Sequence, residues 1–268
     1  MSLCIPMNDL IKRSALALLL AASTPVACRG RAEPSVDRTS AASTPAEPPP
    51  PAVPSSETAS SPPEEIRIEE YAPEGAFVLR GSRATGHAVL FGGQCAQPQG
   101  YADAIKLAAA RRVQLVALRG DRPCTGEYRG WMFDLDALSR RIDRAFRGLG
   151  LGEPRDVLLI GYSQGASVAE LLVAREPEKF TRAVLLAKPS RPEPWHFKRA
   201  RAVATMAGTR DAQASMIQGS RALAAAGVRS RYFPLPGAAH GDMGDDPEGT
   251  FEQVFGWLYE DTGRRDGK

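Results

Sequence analysis

The spacing of apolar residues along the chain changes character at Ile66. Before it, large apolar residues gather in one short run, Ser14 to Ala22, which holds Leu16, Leu18, Leu19 and Leu20. Positions 29–65 are dominated by proline, alanine, serine and threonine, with Pro48 to Pro51 in one block. From Ile66 on, short apolar runs that predict strands alternate with three- and four-residue recurrences that predict helices. Ile66, Ile68 and Tyr71, then Ala76 to Leu79, predict two edge strands near a hairpin. Further strands are predicted over 87–91, 113–118, 157–160, 183–187, 202–207 and 230–235. Helices are predicted over about 101–111, 132–149, 166–175, 212–226 and 249–259. This alternation predicts an α/β domain, a mostly parallel sheet with helices on both faces. Functional loops then belong at the carboxyl ends of the strands.

One stretch is more specific. The strand ending at Ile160 runs into Gly161-Tyr162-Ser163-Gln164-Gly165, and helical spacing resumes at Ala166. A strand feeding directly into a helix forces a sharp, strained turn at Ser163 and lifts its hydroxyl above the sheet edge. A Cβ at Gly161 or Gly165 would collide where the two elements close on each other. The helix also aims its free amide N–H groups at any charge that develops beside Ser163.

A serine hydroxyl is a poor nucleophile at neutral pH, so it needs an imidazole to take its proton and a carboxylate to orient that imidazole. The chain has three histidines. His87 begins a strand, at the end of the sheet away from the functional loops, and fits a structural role. His196 lies in the proline-rich loop 188–199, which could border the cleft and touch substrate. His240 lies in Gly237-Ala238-Ala239-His240-Gly241, after the last strand, and is the candidate base. Asp211 closes Gly208-Thr209-Arg210-Asp211, after an earlier strand, and is the candidate acid. Asp242, Asp245 and Asp246 are nearer His240 in sequence, but read as caps or solvated charge before the last helix. Tyr162, Trp131, Trp195 and Phe197 either line a pocket or fill the core.

With its Gly-x-Ser-x-Gly elbow and the chain order Ser163, Asp211, His240, the segment 66–268 resembles the α/β-hydrolase superfamily. It looks most like small esterases of the carboxylesterase and dienelactone-hydrolase type, with little or no cap domain. The resemblance implies Ser163 as nucleophile, His240 as general base and acid, and Asp211 as the group orienting His240. It also implies an oxyanion hole of two backbone donors. One is the Gln164 N–H. The other is Gly93 or Gln94, from the loop after an early strand, where relatives often read His-Gly and this chain reads Phe91-Gly92-Gly93. In the hydrolase topology the strands before Cys95 and Cys124 are neighbours, so the two cysteines share one rim, and in an oxidising compartment a disulfide between them is expected.

Composition narrows the rest. Apolar content of 43% and charged content of 24% suit a globular protein, and a dispersed net charge of +3 gives nucleic acid no basic patch to bind. No cysteine–histidine spacing suggests a zinc site, and no motif implies a cofactor. Lys12 and Arg13, the short apolar run and the small residues before Cys28 predict a signal segment over 1–27. Val26-Ala27-Cys28 resembles the lipobox of bacterial lipoproteins, which implies lipidation of Cys28, although Pro25 stands where that family usually has Leu. Positions 28–65 then read as a Pro/Ala/Ser-rich disordered linker, since they carry too few large apolar residues for a core. The predicted product is an exported serine hydrolase of small carboxylic esters, tethered to the cell envelope. A serine peptidase of short peptides and a catalytically inactive envelope binding protein are the competing readings.

Overall fold

The computed structural model describes residues 66–82 and 84–260. The signal segment expected over 1–27, the lipidation expected at Cys28 and the linker expected over 28–65 lie outside the described residues.

Val113–Leu118 (β4) and Val157–Tyr162 (β7) are almost wholly apolar and almost wholly buried, as expected of strands covered on both faces. They belong to one eight-stranded sheet. Its other strands are Ile68–Tyr71 (β1), Ala76–Leu79 (β2), Gly86–Phe91 (β3), Phe180–Leu186 (β8), Ala202–Gly208 (β9) and Ser230–Leu235 (β10), in the order β1-β2-β4-β3-β7-β8-β9-β10. β1 and β2 pair antiparallel with their neighbours, and every pairing from β4 to β10 is parallel. Between β4 and β7 a two-stranded ribbon, Arg122–Pro123 (β5) and Arg129–Gly130 (β6), forms its own small sheet. The pattern of apolar residues carried no sign of it, because its strands are polar and only two residues long.

Alternate residues of each strand feed opposite cores. Ala88, Leu90, Leu158, Ile160 and Tyr162 pack beneath Pro98–Ala104 (α1), Lys106–Ala110 (α2) and Pro247–Tyr259 (α6). Val89, Phe91, Val157 and Leu159 pack beneath Leu135–Gly148 (α3), Gln164–Arg175 (α4) and Ala214–Ala225 (α5). Each fully buried Leu or Phe contributes about 1.5–3 kcal/mol relative to exposure.

The elements differ from expectation where polar groups intervene. The helix expected over 101–111 is two helices broken at Ile105 (φ −124°). There the Glu248 carboxylate, arriving from α6, accepts from the Leu107 and Ala108 amides at 2.9 and 2.7 Å and supplies α2 with its own cap. α3 starts at Leu135 rather than Met132, because Phe133 has φ +62° and the Asp134 side chain caps the helix by accepting from the Ala137 amide. β8 starts at Phe180 rather than at Ala183, since the polar Thr181 and Arg182 side chains are both satisfied by Asp156.

β10 is an edge strand. The Leu235 carbonyl accepts from the Thr209 amide beyond β9, so the backbone of the preceding residue, Pro234, faces away from the sheet.

Candidate active site

β7 ends in the expected elbow. Ser163 has φ +50° and ψ −114°, a conformation that side chains rarely adopt. A Cβ on Gly161 would lie 2.4 Å from the Gly165 carbonyl oxygen, and one on Gly165 would lie 2.3 Å from that of Phe91, so only glycine fits at either place. The Ser163 amide donates to the Leu186 carbonyl at 2.8 Å, anchoring the turn to β8.

The loops after β9 and β10 are laced together beside it. The Arg210 amide donates to the Ala238 carbonyl at 3.0 Å, and the Gly237 amide donates to Thr209 Oγ1 at 2.9 Å. This lacing sets His240 between Asp211 and Ser163. His240 Nδ1 is 2.8 Å from Asp211 Oδ2, and Nε2 is 3.2 Å from Ser163 Oγ. A carboxylate only accepts, so Nδ1 carries the proton and Nε2 is free to receive one from the serine. Asp211 is held in turn by the Ala212 amide, which donates to Oδ1 at 2.7 Å, and its side chain is 13% exposed against 54% for His240. The three residues expected to act together are therefore in contact.

Of the expected oxyanion donors, Gln164 is the first residue of α4, so its amide has no intrahelical acceptor. Gly93 lies against the nucleophile, since a Cβ built on it would be 3.6 Å from Ser163 Cβ. Gln94 is exposed on the same turn. The loop bearing both is bound to the segment after β4 by several contacts. Cys95 and Cys124 are joined as a disulfide with Cα atoms 5.7 Å apart, the Ala96 amide donates to the Arg129 carbonyl at 3.1 Å, and the Trp131 indole donates to the Gly92 carbonyl at 2.9 Å. Gln164 completes the set by accepting from the Trp131 amide at 3.0 Å through its side chain.

Tyr162 makes a contact that the sequence did not suggest. Its hydroxyl accepts from the Gly241 amide at 2.6 Å, and its ring stacks on Tyr101 and meets His240 edge-on. Burial pushes this phenol up to about 12. It therefore stays neutral and holds the histidine loop as a neutral acceptor. Trp131 and Phe197 are also buried, whereas Trp195 is exposed.

The other candidates lie elsewhere. His87 packs edge-on against Phe146 at the opposite end of β3, and burial lowers its pKa. His196 is bound away from Ser163. Its Nδ1 is 2.8 Å from Glu170 Oε1 on α4, which also accepts from the Glu193 amide, and the other carboxylate oxygen is 3.0 Å from Lys188 Nζ. Glu170 and Lys188 are both buried. This cluster was not foreseen, although Glu170 falls on the buried stripe of α4 between Ala166 and Val173, where an acid needs a partner. Asp246 caps α6 as expected, its side chain accepting from the Gly249 amide. Asp242 accepts from the Gly244 amide, which holds its carboxyl below the usual range, and it pairs with Arg210 at 3.8 Å.

An elbow serine, an acid after β9, a histidine after β10 and this strand order together define the α/β-hydrolase fold. No family model and no curated protein matches the sequence. Solved structures do. The chain is similar to the protein TT1662 from Thermus thermophilus (TM-score 0.56, 18% identity, covering 74% of this chain and 100% of that one). It is also similar to a Bacillus cereus carboxylesterase (0.53, 16%, 70% and 94%). A third is FphF, a fluorophosphonate-binding serine hydrolase of Staphylococcus aureus (0.54, 10%, 74% and 98%). At these identities the likeness is one of fold.

Proposed function

We propose that the protein is a serine hydrolase that cleaves carboxylic esters through an acyl-enzyme on Ser163. The observation that carries this reading is the unbroken path from Ser163 Oγ to His240 Nε2 and from His240 Nδ1 to Asp211, at 3.2 and 2.8 Å. His240 takes the serine proton as Oγ attacks the ester carbonyl, and Asp211 stabilises the imidazolium that forms. The developing oxyanion is received by the Gln164 amide and by that of Gly93 or Gln94, and the α4 N-terminus adds its dipole. His240 then returns the proton to the departing alcohol. A water activated by the same histidine attacks the acyl-enzyme, releases the acid and restores Ser163. The names of the carboxylesterase and serine-hydrolase neighbours support the same chemistry.

The reading extends to location. Segment 1–27 directs export, lipid on Cys28 holds the chain at the cell envelope, and positions 28–65 act as a spacer reaching on the order of 100 Å at full extension. The test is hydrolysis of p-nitrophenyl acetate together with labelling by a fluorophosphonate probe. Ser163→Ala abolishes labelling and lowers turnover by about 10⁶-fold. A variant that keeps a tenth of wild-type activity refutes the assignment.

A further inference from the structure

Five large apolar side chains are exposed among the described residues: Leu107, Tyr128, Met132, Phe133 and Trp195. Three of them fall on the single segment between β5 and α3, and Met132 and Phe133 are 65% and 40% exposed. These two follow directly on Trp131, whose amide donates to the Gln164 side chain at 3.0 Å. Gln164 is the residue next to Ser163, so the pair follows directly on a residue that is bonded to the elbow.

The display is actively maintained. The Trp131 ring is buried against Phe91 and its indole is bonded to Gly92. The Met132 amide donates to Asp121 Oδ1 at 2.7 Å. Phe133 holds φ +62°, which is costly for a bulky aromatic residue and needs the surrounding contacts to persist. On the other side the segment is tied to the loop of Gly93 by the disulfide and by the Ala96–Arg129 bond. Strain and polar contacts thus combine to leave two apolar side chains in water on a segment bonded to the residue after the nucleophile. Apolar surface in that place is stabilised when something apolar covers it.

We propose that Met132 and Phe133 form the binding surface for the apolar part of the substrate, so that the enzyme prefers esters with an extended aliphatic acyl chain over short or charged ones. This rests on the proposed role of Ser163. An anionic acyl group is the competing occupant, because the Arg122 guanidinium lies 3.4 Å from where a side chain on Gly130 would begin.

The test is the ratio of kcat/KM for p-nitrophenyl octanoate to that for the acetate. Met132→Gln keeps the length of the side chain, and Phe133→Asn suits the left-handed backbone, so neither change disturbs the fold. Each lowers the ratio by about tenfold while fluorophosphonate labelling and acetate turnover persist. Leu107→Gln, at an exposed apolar residue in α2 away from the site, leaves the ratio unchanged. An unaltered ratio in both variants of an enzyme that labels normally overturns the subsite alone. A wild-type preference for the hemisuccinate ester over the octanoate overturns it in favour of Arg122. A wild type that neither labels nor hydrolyses acetate overturns the reading of Ser163, and the subsite with it.

Discussion

Cys95 and Cys124 are separated by 29 positions, and their bond closes a loop that holds α1, α2, β4 and β5. In the chain-entropy model a loop of that size restricts the unfolded chain by about 3.5 kcal/mol. For a domain of about 200 residues, that corresponds to a fall in Tm of about 10 °C when the bond is removed. Function should feel the loss as well, because Cys95 follows Gly93 and Gln94 by one or two residues. The Ala96–Arg129 and Trp131–Gly92 hydrogen bonds still hold the loop after reduction, so it loosens without unfolding. The Cys95→Ser/Cys124→Ser variant is therefore expected to unfold about 10 °C earlier. Well below that temperature it turns over esters several-fold more slowly, with KM little changed. Calorimetry and steady-state kinetics on protein purified from an oxidising compartment check both parts. Peptide mass spectrometry of the unreduced protein gives the decisive result, because free thiols at both positions would refute the bridge. An intact bridge whose loss leaves Tm unmoved would refute the entropic reasoning instead.

Tyr162→Phe removes the acceptor for the Gly241 amide, and since Gly241 is open to water, stability falls by only about 1 kcal/mol. Turnover falls about tenfold through misplacement of His240, and steady-state kinetics with an unchanged kcat would show that the contact has no such role. Lys188→Met leaves the Glu170 carboxylate buried without its cation and costs about 3–5 kcal/mol in urea unfolding, of which adding Glu170→Leu recovers only part, since the Glu193 amide and His196 then lose their acceptor. Burial raises the Tyr162 and Tyr259 phenols from 10.0 to about 12, so the folded protein holds these protons more tightly than the unfolded chain does. Their contribution is complete below about pH 10 and is lost as pH rises towards 12, so urea titrations in that window show falling stability, less steeply in Tyr259→Phe.

Much of this was legible in the residues. β3, β4, β7 and β9 announce themselves as apolar runs because both faces of the sheet are covered. That Ser163, Asp211 and His240 meet was legible because a parallel sheet puts the loops after its strands at one rim. Several of the misses share a cause, since they depend on a partner distant in sequence. Nothing near Ile105 says that Glu248, 140 residues from Ala108, will cap a second helix there. Nothing near Tyr162 says that its hydroxyl meets Gly241, 79 residues on. The β5–β6 ribbon exists because it is stitched to the loop after β3, and its own residues carry no strand pattern.

Pro234 has a consequence for how the molecule can meet its own kind. A sheet open at one side invites another chain to continue it, and the invitation is made by outward N–H and C=O groups in regular succession. At the β10 margin the succession is interrupted, because the residue whose backbone turns outward there has no hydrogen to offer. Arg231, exposed three residues earlier on the same strand, adds a charge that a second copy would have to confront. Two molecules laid margin to margin along β10 would repel there and lack a ladder bond, so crowding does not readily turn this sheet into a longer one.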